Sequence, residues 1–127
     1  MELSLRIASW DEQVVRELAD GQKVSRASVR LDGDDLAGGF ESVLHYAADG
    51  SSEFSSVMYL EGVLEGRRGG FVLIGEGEYD GTTARSLSRI VDDSGTGELA
   101  GIAGSATSAS THADYPVMPL TLDYRLP

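Results

Sequence analysis

Three tyrosines, Tyr46, Tyr79 and Tyr124, carry the most usable chemistry in this chain, because each falls where a strand-like alternation turns inward. A buried phenol needs a partner, and one aimed at a carbonyl or epoxide oxygen stabilises charge developing there. The hydroxyls of Ser86 and Ser88, two apart on another alternating run, could serve the same oxygen. Other reactive types are missing or badly spaced. Zero cysteines exclude thiolate chemistry, a disulfide scaffold and any Cys-based zinc site. His45 and His112 lie far apart and lack the His-x-x-x-His spacing of a metal pair, so neither metal nor cofactor is expected. His45 alternates with Leu44 and Tyr46 and should face solvent. No Gly-x-Ser-x-Gly elbow marks a nucleophile, and no Gly-x-Gly-x-x-Gly opens a helix. Glu76 and Glu78 share a strand face, but their alternation with Phe71, Leu73 and Tyr79 puts them on the solvated side.

The elements that must position these groups are strands. The chain has 16 glycines and 3 prolines among 127 residues, and its apolar residues alternate in short runs bounded by turn signals, with no sustained helical period. Eight strands are expected. The first holds Leu3, Leu5 and Ile7, the second runs from Gln22 to Leu31, and the third runs from Leu36 to Tyr46. Asp49-Gly50 then signals a hairpin into a fourth strand whose even positions, Phe54 to Leu64, face inward. Arg67-Arg68-Gly69-Gly70 reads as the next turn, Phe71 to Tyr79 as the fifth strand, and Asp80-Gly81 as a hairpin into a sixth, Thr82 to Val91. Small residues from Ala103 to Ser110 make the seventh and Leu120 to Leu126 the eighth. Periodicity alone fits a barrel and an open sandwich equally.

Composition narrows the function classes. A formal net charge of −11 opposes binding to nucleic acid, which requires clustered Lys and Arg, and only Lys23 accompanies the arginines. No apolar run is long enough for a membrane helix, and Met1 to Arg6 has no secretory pattern, so a cytoplasmic address without membrane association is expected. Outward Val57, Tyr59, Val63, Val72 and Ile74 would form an apolar patch of the kind that marks an interface.

The run from Ser94 to Gly104 is the most distinctive stretch. Gly95, Gly97, Gly101 and Gly104 punctuate it as a fixed turn, while Leu99 and Ile102 put two apolar groups on one side of a short helical turn that can plug the end of a sheet. Together with Ser9-Trp10-Asp11-Glu12, Arg26-Ala27-Ser28-Val29, Gly69 to Leu73 and Leu122-Asp123-Tyr124, it resembles a bacterial domain family of unknown function. That family is grouped with allene oxide cyclases, dirigent proteins and spirotetronate-forming cyclases.

The resemblance implies a single all-β domain over residues 1–127, an antiparallel eight-stranded barrel of the allene-oxide-cyclase-like, calycin-like type, and a homo-oligomer, dimer or trimer. Such a barrel can hold one small ligand if its inner side chains leave room. Here Ser86 and Ser88 would leave space opposite Phe40, Phe54, Met58 and Phe71, and the loop from His112 to Pro119 could fold Tyr115 and Met118 over the mouth. The function expected is a cofactor-free cyclase or isomerase acting on an apolar, polyketide- or oxylipin-like molecule by confinement, with Tyr46, Tyr79 or Tyr124 as the donor. A passive carrier of a hydrophobic ligand and a solid-core structural module are the alternatives.

Overall fold

Strand formation follows the turns. In the computed structural model, which describes all 127 residues, Asp49 Oδ1 takes the Ser51 N–H at 2.9 Å and closes one hairpin. Asp80 Oδ1 takes the N–H groups of Thr82 at 2.9 Å and Thr83 at 2.8 Å and closes another. The strands are β1 (Glu2–Glu17), β2 (Lys23–Asp32), β3 (Leu36–Tyr46), β4 (Ser52–Leu64), β5 (Arg67–Tyr79), β6 (Thr83–Ile90), β7 (Ala103–Thr111) and β8 (Val117–Arg125). All neighbours pair antiparallel, and β1 returns to β8, so one sheet closes in a ring.

Two boundaries differ from the sequence reading. Arg67 to Gly70 do not turn the chain but open β5, because the turn is made by Glu65 and Gly66, whose φ angles of 47° and 84° reverse the backbone in two residues. The first strand, 16 residues, extends far beyond its alternating run. Residues 2–6 pair with β8, whereas residues 9–17 pair only with β2, and a bulge at Ala8 changes which parity faces in. Before the bulge Leu3 and Leu5 point inward; after it Trp10, Glu12 and Val14 do, each opposite an inward residue of β2.

One end of the ring is sealed. Leu99, on a 3-10 turn over Gly97–Leu99, is 0% exposed and Ile102, three residues on, nearly so; both belong to the same buried core as Leu31, Leu36, Leu60, Leu64 and Phe71. The segment is stitched to the start of β5: Thr96 Oγ1 accepts the Gly70 N–H at 3.0 Å, Glu98 Oε1 that of Arg68 at 3.1 Å, and Ser94 Oγ that of Val72 at 3.1 Å. Three of the four punctuating glycines, Gly97, Gly101 and Gly104, have positive φ. Toward the other end six inward residues of β4, β5 and β6, Phe54, Ser56, Met58, Tyr79, Ser86 and Ser88, are only half-buried. No helix is long and apolar enough to cross a membrane.

Candidate functional site

At the unsealed end, strand register brings chemistry-bearing side chains into rows. Lys23, Tyr46, Ser52, Tyr79 and Ala84 are successive cross-strand partners from β2 to β6. Next to this row the free stretch of β1 contributes Trp10 and Glu12, which share a face because they are two apart on a strand. Glu12 collects two donors. Trp10 Nε1 gives it a hydrogen bond of 2.9 Å and the Tyr46 hydroxyl one of 2.7 Å. Trp10 packs edge-on against Phe40 with ring centroids 6.1 Å apart, and the Lys23 ammonium sits 4.8 Å from the centre of the Tyr46 ring.

The electrostatics keep the proton on Tyr46. Burial, then the hydrogen bond to Glu12 and the charge of Glu12, raises its pKa well above the usual tyrosine range. It is therefore a donor throughout physiological pH. Glu12 has no ion-pair partner of its own, the one salt bridge of the fold being Arg85 with Asp80 at 3.5 Å. Further in, Ser42 and Ser56 bond to each other, while the Ser25 hydroxyl is completely buried with no partner at all.

The expected site residues divide by location. Tyr46, Tyr79, Phe54, Met58, Ser86, Ser88 and Phe40 all lie on the inner face, and Phe40 and Tyr46 join the Trp10–Glu12 cluster. The Tyr79 hydroxyl, however, turns back to the Gly81 carbonyl at 2.9 Å. Phe54 lies over Gly77, where an added Cβ would meet its ring at 2.6 Å, and Ser88 fits against Gly75 in the same way, so part of the expected gap on β6 is occupied. Phe71 belongs to the sealed end, buried among the plug residues. Tyr124 also lies there: its hydroxyl bonds Glu65 in the β4–β5 turn, and that bond above all raises its pKa. Met118 is a buried core residue of β8, whereas Tyr115 stays exposed beyond the 3-10 turn His112–Asp114. His45 is exposed and bonds Gln22 at 2.9 Å.

Trp10, Glu12 and Lys23 were not singled out as site residues by the sequence. The signal for Trp10 and Glu12 was an alternation with Val14 out of phase with Leu3 and Leu5, which is interpretable only once the bulge at Ala8 is known.

The outer face carries shallow, open concavities. A groove runs across the strands between two rows of outward side chains, one through Glu41, Val57, Ile74 and Arg89, the other through Arg26, Val43, Glu76 and Leu87. Its exposed apolar members are Val43, Val57, Ile74 and Leu87; Tyr59 flanks it, and Val63 and Val72 are half-buried.

A family model described as a protein of unknown function (DUF3224) matches residues 3–124. A solved structure, described as that of a protein with unknown function from the same family from Shewanella oneidensis MR-1, is similar over 100% of this chain and 97% of that one. The TM-score is 0.73 at 20% sequence identity, which speaks for a shared fold. No curated protein matches the chain.

Proposed function

Because the chain belongs to the DUF3224 family, whose description names no activity, we propose a function from the site: the unsealed end of the ring binds an apolar small molecule that carries an oxygen acceptor. One observation carries this reading. Trp10 points to the inner face, shares a row with Val29 and Phe40, and is nevertheless 43% exposed. An aromatic side chain on the core side of a sheet is ordinarily covered. Here its cover is the ligand.

Tyr46 supplies the polar contact. In the resting state its O–H donates to Glu12; a ligand oxygen that reaches the phenol shares or takes that hydrogen bond, and Trp10 holds Glu12 in place meanwhile. In the enzymatic form of this proposal the reaction is a cyclisation or isomerisation without cofactor. The walls of Phe40, Phe54 and Met58 restrict a flexible substrate to a reactive conformer, and Tyr46 stabilises charge on its oxygen. The closed eight-stranded sheet is also what the resemblance to the allene-oxide-cyclase-like barrels implies, and that group includes cyclases. A carrier would use the same contacts without turnover.

The test is a titration with prodan, a neutral naphthalene fluorophore bearing a ketone, read by its own emission. Saturable one-site binding is expected, weakened about tenfold by Trp10→Ala, with circular dichroism confirming that the variant keeps its fold. Absence of saturable binding, or binding indifferent to Trp10→Ala, would overturn the proposal. Native mass spectrometry of protein purified from the producing organism would then identify a retained molecule.

A further inference from the structure

The outer groove is self-complementary, and we propose that it is the contact face of a two-fold homodimer. Each of its rows crosses β3, β4, β5 and β6 at successive pairing positions. A two-fold axis running parallel to the strands between β4 and β5 lays β3 of one copy on β6 of the other and β4 on β5, so each row meets itself reversed.

Reversal pairs the right chemistry. In the row Glu41, Val57, Ile74, Arg89, the carboxylate of one copy meets the guanidinium of the other at both ends, and Val57 meets Ile74 in the middle. In the row Val43, Ser55, Glu76, Leu87, the two apolar ends meet and the Ser55 hydroxyl faces the Glu76 carboxylate. On the plug side, Tyr59 comes against Val72. One row further toward the unsealed end, Glu53 and Glu78 would face like charges, which sets the rim of the contact there.

The occupant is a second copy rather than another protein because Glu41 finds Arg89, and the apolar groups of each row find one another, in the same surface. Leu87 and Val43, 62% and 53% exposed, are otherwise large apolar side chains in water on a chain of net charge −11. Self-repulsion at that charge would discourage association unless the contact face itself were balanced, and over β2 to β6 the two rows hold Arg26 and Arg89 against Glu41 and Glu76.

Charge reversal tests the geometry with exposed residues that leave the fold undisturbed. Sedimentation equilibrium of the intact chain is expected to give twice the 13.5 kDa chain mass. Glu41→Arg alone and Arg89→Glu alone should each raise the dimer dissociation constant at least about tenfold, since each sets like charges together at both ends of the row. The double variant, Glu41→Arg with Arg89→Glu, should restore dimerisation to within about threefold. A monomer at all concentrations, a trimer, single variants that dimerise like the parent, or a double variant no better than the singles would each overturn the proposal. Circular dichroism of every variant distinguishes a lost contact from a lost fold.

Discussion

The Tyr46 hydroxyl and the Glu12 carboxylate, 34 residues apart in sequence, are joined by a 2.7 Å hydrogen bond that links the free stretch of β1 to the end of β3. Folding raises the Tyr46 pKa through burial first and Glu12 second. A phenol raised in this way contributes its stability in full below its unfolded pKa, near pH 10, and loses it as the pH climbs toward the folded value. The parent chain should therefore lose urea midpoint as the pH climbs from about 10 to about 12 more steeply than Tyr46→Phe, which has no proton to lose. Equal slopes for the two chains would show that this bond does not persist in solution.

The three tyrosines should separate in ligand binding. Tyr79 is committed to the Gly81 carbonyl, and Tyr124 bonds Glu65 at the sealed end, so neither hydroxyl is offered to the open mouth. Tyr46→Phe should weaken prodan binding about five- to tenfold and shift its bound emission to the blue, as the ketone loses a donor. Tyr79→Phe and Tyr124→Phe should stay within about twofold of the parent. A blue shift from Tyr79→Phe instead would move the donor two positions along the same cross-strand row, past Ser52.

Gly39 and Tyr59 are paired across β3 and β4, with the phenol ring lying over the glycine on the outer face. A Cβ at Gly39 would overlap the Val29 carbonyl and come within 2.9 Å of the Tyr59 hydroxyl. The backbone carbonyl cannot swing away as a side chain can, so Gly39→Ala should cost about 1 to 3 kcal/mol. Urea denaturation measures it; an unchanged midpoint would mean that the two strands separate locally without penalty.

Gly101 holds the plug in the left-handed region, with φ of 83°, and a Cβ there would lie 2.8 Å from Pro127 Cγ. Gly101→Val should destabilise by about 1 to 3 kcal/mol through backbone strain, more than the same change at a glycine in ordinary extended conformation with open space around it. The comparison is made by urea midpoints at neutral pH. An unaltered midpoint would place the strain elsewhere in the turn.

Local chemistry was sufficient for much of this architecture. Period-two alternation from Leu36 to Tyr46 set β3 from its first residue to its last, Asp49-Gly50 and Asp80-Gly81 set two hairpins, and the spacing of Leu99 and Ile102 set the plug, because each of these rests on neighbours in sequence. The inward direction of Tyr46 and the outward direction of His45, Glu76 and Glu78 followed from the same alternation. Tertiary structure decided the rest. The bulge at Ala8 reverses the parity of β1 and turns Trp10 and Glu12 toward Tyr46, and a bulge is fixed by register against β2, which no local period encodes. Ring closure depends on residues 2–6 finding β8 across almost the whole chain. The acceptor to which each phenol O–H donates, Glu12 for Tyr46, Gly81 for Tyr79 and Glu65 for Tyr124, is likewise a matter of what the closed sheet brings within reach, since a hydroxyl's partner is chosen by distance and angle after the backbone is in place.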